Sequence, residues 1–165
     1  MASAAQELLD LLDPDQRHRA VGSFPGDEDR LRWFYTPTDH GGLPLAAMSA
    51  RQEGAALRLL ASGLSAGAFA TVSTIMGLEN ALDHQEGFRQ NVGGRERGRD
   101  ASMYFVRIFG VPSVDGTWAW RFGGHHVSIN NLVVQGRAVS STPCFLGATP
   151  ADLPLLGPHF LRPLG

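Results

Sequence analysis

The stretch Gly123-Gly124-His125-His126-Val127-Ser128-Ile129-Asn130 concentrates more chemistry than any other part of the sequence. Along an extended strand, side chains alternate between faces. His126, Ser128 and Asn130 then share one face, and His125, Val127 and Ile129 share the other. A row of His, Ser and Asn offers a metal ligand or general base beside hydrogen-bond donors and acceptors. The two glycines permit close approach by a ligand or another backbone. The plainer reading is a polar face in solvent plus one core histidine with a partner, because two histidines alone do not make a metal site.

Glu79 is the second candidate. Ala68, Val72, Ile75, Glu79 and Leu82 recur at spacings of three and four, so they form one helical stripe. A carboxylate on that stripe is costly to bury unless it is paired, protonated or bound to a metal. It is therefore a candidate ligand or acid/base, or else it sits at the stripe edge and pairs with Arg121 or Arg107. The enzyme reading gives Glu79 and His126 the chemistry and uses Arg121 to orient an anionic group on a small molecule. Its cofactor is a divalent metal ion held by His126, His125 and Glu79. A catalytic zinc takes three protein ligands and leaves one position open. Neighbouring strand residues point apart, so His125 and His126 reach one ion only if a bulge at Gly123-Gly124 breaks the alternation. His125, Ser128 and Asn130 are the accompanying binding residues. Trp118 and Trp120, in line with Phe122, either pack as core or form an aromatic platform for a ligand.

Other patterns carry less. Gly63-Leu64-Ser65-Ala66-Gly67 matches the G-x-S-x-G string, but that chemistry needs the serine on a strand-to-helix turn. Here the serine falls between two helical segments, where Gly63 ends one and Ser65 caps the next. Arg89, Arg95, Arg97 and Arg99, interleaved with Glu96 and Asp100, read as a solvated and partly self-neutralised loop, with phosphate binding as the alternative. Cys144 reads as a buried structural thiol. The sequence has no Walker loop, dinucleotide fingerprint, HExxH or EF-hand.

These residues need elements to position them. Ala4 to Leu12 has helical spacing. Asp13-Pro14-Asp15-Gln16 restarts a helix with a capping box and proline at the first position. Asp27 to Trp33 suits a short third helix, and Tyr35 to Met48 a loop. Ser49 with Gln52 caps a helix from Ala50 to about Ser62, and Ser65 caps another to about Leu82 or His84. The second half alternates as strands do: Met103 to Phe109, Thr117 to Phe122, His125 to Val134, and Arg137 to Phe145 after a Gln135-Gly136 hairpin turn. The tail from Thr149, with four prolines, suits neither helix nor central strand. The expected fold is α+β in one domain over 1–165. Helices (about 1–86) pack on an antiparallel sheet with a hairpin (about 101–148), joined by a loop at 87–100 and followed by the tail.

Composition sets the outer limits. The 165 residues suffice for one domain with a real core. Twenty glycines and ten prolines call for many turns. A net charge of −2 argues against a dedicated nucleic-acid binder. No apolar run is long enough to span a bilayer, and no signal peptide is visible, so the expected location is the cytoplasm. One cysteine allows no intramolecular disulfide.

Three runs resemble a known family. They are Ile108-Phe109-Gly110-x-Pro112; Trp118-Ala119-Trp120-Arg121-Phe122-x-Gly124-His125-His126-Val127-Ser128-Ile129-Asn130; and Val139-Ser140-x-Thr142-Pro143-x-Phe145-Leu146-Gly147-Ala148-x-Pro150. With Leu12-Asp13-Pro14-x-Gln16-Arg17, Trp33-x-Tyr35-x-Pro37, Gly42-Leu43-Pro44-Leu45 and Ile75-Met76-x-Leu78-Glu79 upstream, the chain resembles the uncharacterised family catalogued as domain of unknown function 3500. The resemblance implies a site at the Gly-His-His strand but supplies no reaction. It also implies a longer protein, of which this chain is similar to the N-terminal half; members carry a further histidine motif in their second half. Gly123 stands where members typically have an acidic residue. Two functional readings result. One is a metal-dependent hydrolytic or oxidative enzyme acting on a small molecule. The other is a non-catalytic half-domain that binds a ligand or a partner, as a homo-oligomer or with a complementing second half. Glu79, His126 and Arg121 lining one pocket would favour the first.

Overall fold

The computed structural model describes residues 1–88, 99–154 and 159–165. Four helices come first: α1 (Ala2–Leu11), α2 (Pro14–Ala20), α3 (Ala50–Ser62) and α4 (Ala66–Gln85). Their starts follow the expected chemistry. The Asp13 and Ser49 side chains each accept from the backbone N–H three residues on, and Gln16 and Gln52 return the bond to the cap backbone. The Ser65 side chain accepts from the Ala68 N–H. Asp27 to Trp33 is shorter than expected, a 3-10 turn over Glu28–Leu31.

Three strands span the sheet: β3 (Phe105–Phe109), β4 (Thr117–Gly124) and β5 (Val127–Val134), paired antiparallel in that order. Short strands flank them. β1 (Val21–Gly22) and β2 (Leu43–Pro44) share the outer edge of β3. β6 (Arg137–Ser140) and β7 (Cys144–Leu146) share that of β5. β8 (Leu153–Pro154) pairs with β9 (Phe160–Leu161) in the proline-rich tail. The architecture is α+β, with one departure from an all-antiparallel sheet: β1 runs parallel to β3.

Three expectations are corrected. The strand anticipated from His125 begins at Val127, because Gly124 pairs with Val127 and leaves His125-His126 as a two-residue hairpin turn. The single return strand from Arg137 is broken between Ser140 and Cys144 into β6 and β7. Cys144 is exposed, not buried, because it lies on the short outer strand β7. The Gln135-Gly136 turn forms as expected, with φ of 49° and 74° at its two residues, the positive pair a tight hairpin with right-handed strand twist requires.

The register divides the sheet into two faces. Trp118, Trp120 and Phe122 of β4, with Val127, Ile129 and Val133 of β5, pack against Leu8, Leu59, Leu60, Val72 and Ile75 of the helices. Each fully buried large side chain of this kind contributes about 1.5–3 kcal/mol. The opposite face carries Arg107, Arg121, Ser128 and Asn130, and it too is covered. The segment around Asp27–Gly41 lies over it, tied down by Arg107 to Asp27 and Asp29, and by Arg121 to the Asp29 carboxylate and backbone.

Candidate active site

The site begins with a backbone exception. His126 has φ of 60°. A non-glycine residue there meets a steric penalty of about 1–2 kcal/mol, and such positions cluster at functional sites. The conformation is fixed from both sides: the His126 N–H donates to the Tyr35 carbonyl at 2.9 Å, and the His126 carbonyl accepts from the Gly147 N–H at 2.8 Å. The turn also undoes the alternation that would have separated the two imidazoles. Their ring centroids lie 4.0 Å apart. Convergence is thus achieved by a turn after Gly124 rather than by a bulge within a strand.

Glu79 reaches this turn from α4. Its carboxylate is hydrogen-bonded to His125 Nδ1, and both side chains are nearly sealed, at 4% and 10% exposure. Glu79 therefore meets its burial requirement with His125, not with Arg121 or Arg107. Below the turn, the Tyr104 hydroxyl donates to the His125 carbonyl at 2.8 Å. Burial, reinforced by the Glu79 charge, pushes the Tyr104 phenol well above its usual range and keeps it a donor. His125 Nε2 has no hydrogen-bond partner among the described residues. Burial first, then the charges of His125 and Arg99, lowers the His126 imidazole to about 4. His126 is therefore neutral near pH 7.

Beside the histidines lies an aromatic cluster. Trp33 and Tyr35, each about half exposed, have ring centroids 5.9 Å and 5.6 Å from Phe145. Phe145 is 6.5 Å from His126. This cluster was not a sequence candidate for the site. Its signal was Trp33-x-Tyr35-x-Pro37, which marks a segment but not what it approaches.

The remaining candidates lie elsewhere. Trp118 and Trp120 are buried in the core, so they offer no open platform. Arg121 is on the other face of the sheet. It donates to the Asp29 and His40 carbonyls and to the Asp29 carboxylate, and acts as a clamp on the covering segment. No cavity seen among the described residues brings Glu79, His126 and Arg121 together. Ser128 and Asn130 share the face of Arg121, buried rather than solvated, and the turn removes His126 from their row. Arg99 forms two hydrogen bonds with the Glu86 carboxylate, each 3.0 Å. Arg89, Arg95, Glu96 and Arg97 lie outside the described residues.

His40 is a buried histidine that the sequence did not single out. It stacks on Phe105, with centroids 5.8 Å apart, and Nε2 meets the Thr36 carbonyl at 2.7 Å. A Cβ at Gly123 would stand 3.2 Å from its Nδ1, so the glycine makes room for this ring. Burial holds its imidazole below the ordinary value. Among the described residues, no three His, Cys, Asp or Glu side chains are grouped to hold one metal ion. No described helix is long and apolar enough to cross a membrane.

The comparison that decides the family is a match over residues 1–164 to the one described as "Protein of unknown function (DUF3500)". The chain belongs to the DUF3500 family. No curated protein and no solved structure matches it. In this DUF3500 chain, the family resemblance in the Gly-His-His run falls on the β4–β5 turn that presents both imidazoles.

Proposed function

We propose that the β4–β5 turn is the active site of an enzyme that performs acid–base chemistry on a small molecule. The observation that carries this reading is the Glu79–His125 pair, which leaves His125 Nε2 without a partner. A carboxylate on one imidazole nitrogen fixes the tautomer and ring orientation, so that Nδ1–H donates to Glu79 and Nε2 presents a lone pair. Nε2 then takes a proton from a bound hydroxyl or water, and the Glu79 charge stabilises the imidazolium that forms. A hydrolytic step is the simplest use of such a base. Neutral His126, tilted against the His125 ring, adds a second acceptor or donor. Trp33, Tyr35 and Phe145 seat the planar or apolar part of the substrate. In this scheme His125 is the catalytic residue and Glu79 its positioning residue.

A second reading uses the same atoms. Metal-binding histidines commonly donate a hydrogen bond from their other ring N–H to a carboxylate, and the two imidazoles are close enough to act together. His125 and His126 would be ligands to a divalent ion, with Glu79 behind His125. That supplies two protein ligands where a catalytic zinc takes three, so it ranks second.

The first test needs no substrate. Diethyl pyrocarbonate acylates unprotonated, accessible imidazole nitrogen, and mass spectrometry locates the product. The expected result is modification at His125, slowed in Glu79→Gln, and a hydrolase substrate panel on which His125→Asn loses about 10²–10⁴-fold in turnover. An inert His125 in the folded protein overturns the base assignment. Metal content of the untagged protein, beside His126→Ala, separates the second reading. Near-stoichiometric metal lost in the variant supports it. None after supply of zinc, copper, iron and manganese removes it.

A further inference from the structure

Beside the histidine turn stands a guanidinium whose donors are only half used. Arg99 meets the Glu86 carboxylate side-on, Nε and Nη2 each donating at 3.0 Å to an oxygen of their own. A guanidinium is a planar fork with N–H donors on more than one edge. The Glu86 contact occupies the Nε–Nη2 edge. It leaves the Nη1–Nη2 edge, where Nη1 has no hydrogen-bond partner among the described residues. The side chain is 11% exposed, so the free edge is held in place by its surroundings.

Position ties this edge to the histidines. Glu86 closes α4 about two helical turns after Glu79, roughly 10 Å of rise along the same face. Glu79 holds His125 and Glu86 holds Arg99, so one face of one helix sets the spacing between imidazole and guanidinium. Arg99 is near enough for its charge to act on the His126 imidazole and to feel the Glu79 carboxylate. Neither Arg99 Nη1 nor His125 Nε2 is among the unpartnered polar atoms closed off from solvent. Both keep an open face.

The unused valences define a ligand. Glu79 and Glu86 are each already paired, and His126 is neutral near pH 7. What remains is one guanidinium edge and one imidazole lone pair. A guanidinium edge matches a carboxylate in both shape and charge. A phosphate dianion carries a second charge that would face Glu79 and Glu86. We propose that the site takes a small carboxylate, bound by the Nη1–Nη2 edge of Arg99 with its reacting group at His125 Nε2. This inference rests on the histidine turn being an active site and names the substrate class. Arg99 takes the anion-orienting role expected of Arg121, whose guanidinium is spent on Asp29 and the His40 carbonyl.

Benzoate is the probe, because its ring suits the Trp33, Tyr35 and Phe145 cluster beside His126. Benzamide is its uncharged counterpart. Each is titrated into ¹⁵N-labelled protein while the Arg99 Nε–H and His126 backbone N–H resonances are followed. Arg58 is the internal control, since it forms the same side-on pair with Glu7 on an exposed surface. The expected result is a saturable benzoate shift at Arg99 and His126, binding of benzamide weaker by about tenfold or more, and no matching shift at Arg58. Arg99→Lys keeps a cation for Glu86 but loses the fork, and benzoate affinity should fall about tenfold or more. An unchanged Trp118 indole signal, from a group bonded to the Ser113 carbonyl, verifies the fold of that variant. Saturating benzoate should also slow diethyl pyrocarbonate modification of His125. No shift at Arg99, an equal response to benzamide or at Arg58, undiminished affinity in Arg99→Lys, or unprotected His125 overturns the proposal. The first two comparisons are made in the wild-type protein and need no variant to fold. A His125 inert to the reagent overturns the base assignment instead, and the Arg99 shift is read without it.

Discussion

The Glu79 carboxylate in α4 meets His125 Nδ1 at the β4–β5 turn, forty-six positions later in the chain. This one bond joins the helical layer to the rim of the sheet. It also explains why a carboxylate lies on the buried stripe of α4. Glu79 shares that stripe with Val72, Ile75 and Leu82, all of them buried, and its negative charge has a partner there that is both a donor and protonatable.

Removing the carboxylate should therefore be felt in stability as well as in chemistry. Glu79→Ala leaves His125 Nδ1 without its acceptor in a nearly sealed place, at a cost of about 1–3 kcal/mol. Glu79→Gln keeps an acceptor oxygen and should cost less, while losing the charge that supports an imidazolium. Urea unfolding should rank wild type above Gln and Gln above Ala in midpoint, with similar slopes. A Glu79→Ala protein as stable as wild type would show that the bond carries no weight.

His126 tests whether chemistry or backbone economy chose the residue. At its φ of 60°, glycine meets no Cβ penalty, whereas alanine does. His126→Gly should be more stable than His126→Ala by about 1 kcal/mol, and both should lose the second imidazole of the site. Equal stability of the two variants would contradict the left-handed turn.

The pH dependence follows from the same residue. The folded His126 imidazole is lowered to about 4, from 6.5 in the unfolded chain. Between those values the unfolded state binds more protons, so stability rises with pH across the window. It is fully present above about 6.5, is lost as pH falls towards 4, and is flat below that as far as His126 is concerned. His40 is shifted in the same direction by burial and adds to the slope. His126→Gln should reduce the slope between pH 4 and 6.5 without abolishing it. An unchanged slope would mean that His126 is not depressed.

Local chemistry was readable in the sequence, and long-range partnership was not. Asp13 with Gln16 and Ser49 with Gln52 specify their helix starts through atoms three residues apart, so a short window contains the whole cause. Glu79 was recognisable as an unusual member of a buried stripe. Its partner was not, because Arg107, Arg121 and His125 satisfy a buried carboxylate equally well on paper, and only the packing of α4 on the sheet selects among them. The histidine row failed for a different reason. Its alternation argument assumed an extended backbone through His125 and His126, while the pairing of Gly124 with Val127 places the turn there. The aromatic cluster of Trp33, Tyr35 and Phe145 joins segments more than a hundred residues apart, beyond the reach of any periodicity.

Arg121 should behave as a clamp. Its guanidinium holds Asp29 and the His40 carbonyl from within the sheet face, a two-sided geometry that a lysine ammonium cannot reproduce. Arg121→Lys should lower stability by about 1–3 kcal/mol and speed amide hydrogen exchange in residues 27–42, leaving diethyl pyrocarbonate modification of His125 intact under native conditions. Loss of that modification in a folded Arg121→Lys protein would return the arginine to the site.

Gly124 sets the position of the histidine turn through its lack of a side chain. A Cβ there would stand 2.5 Å from the Tyr104 ring, a contact that ring cannot yield without moving, because Tyr104 is fully buried. Gly124→Ala must displace either the ring or the turn, and both movements strain the Tyr104 hydroxyl bond to the His125 carbonyl. The expected cost is about 1–3 kcal/mol. Tyr104→Val opens space at the same place, so the double variant should be more stable than the sum of the single effects predicts, by about 0.5–3 kcal/mol. Strict additivity in that cycle would mean that the turn tolerates a methyl group without meeting Tyr104, and the support of the histidine pair would then have to lie elsewhere.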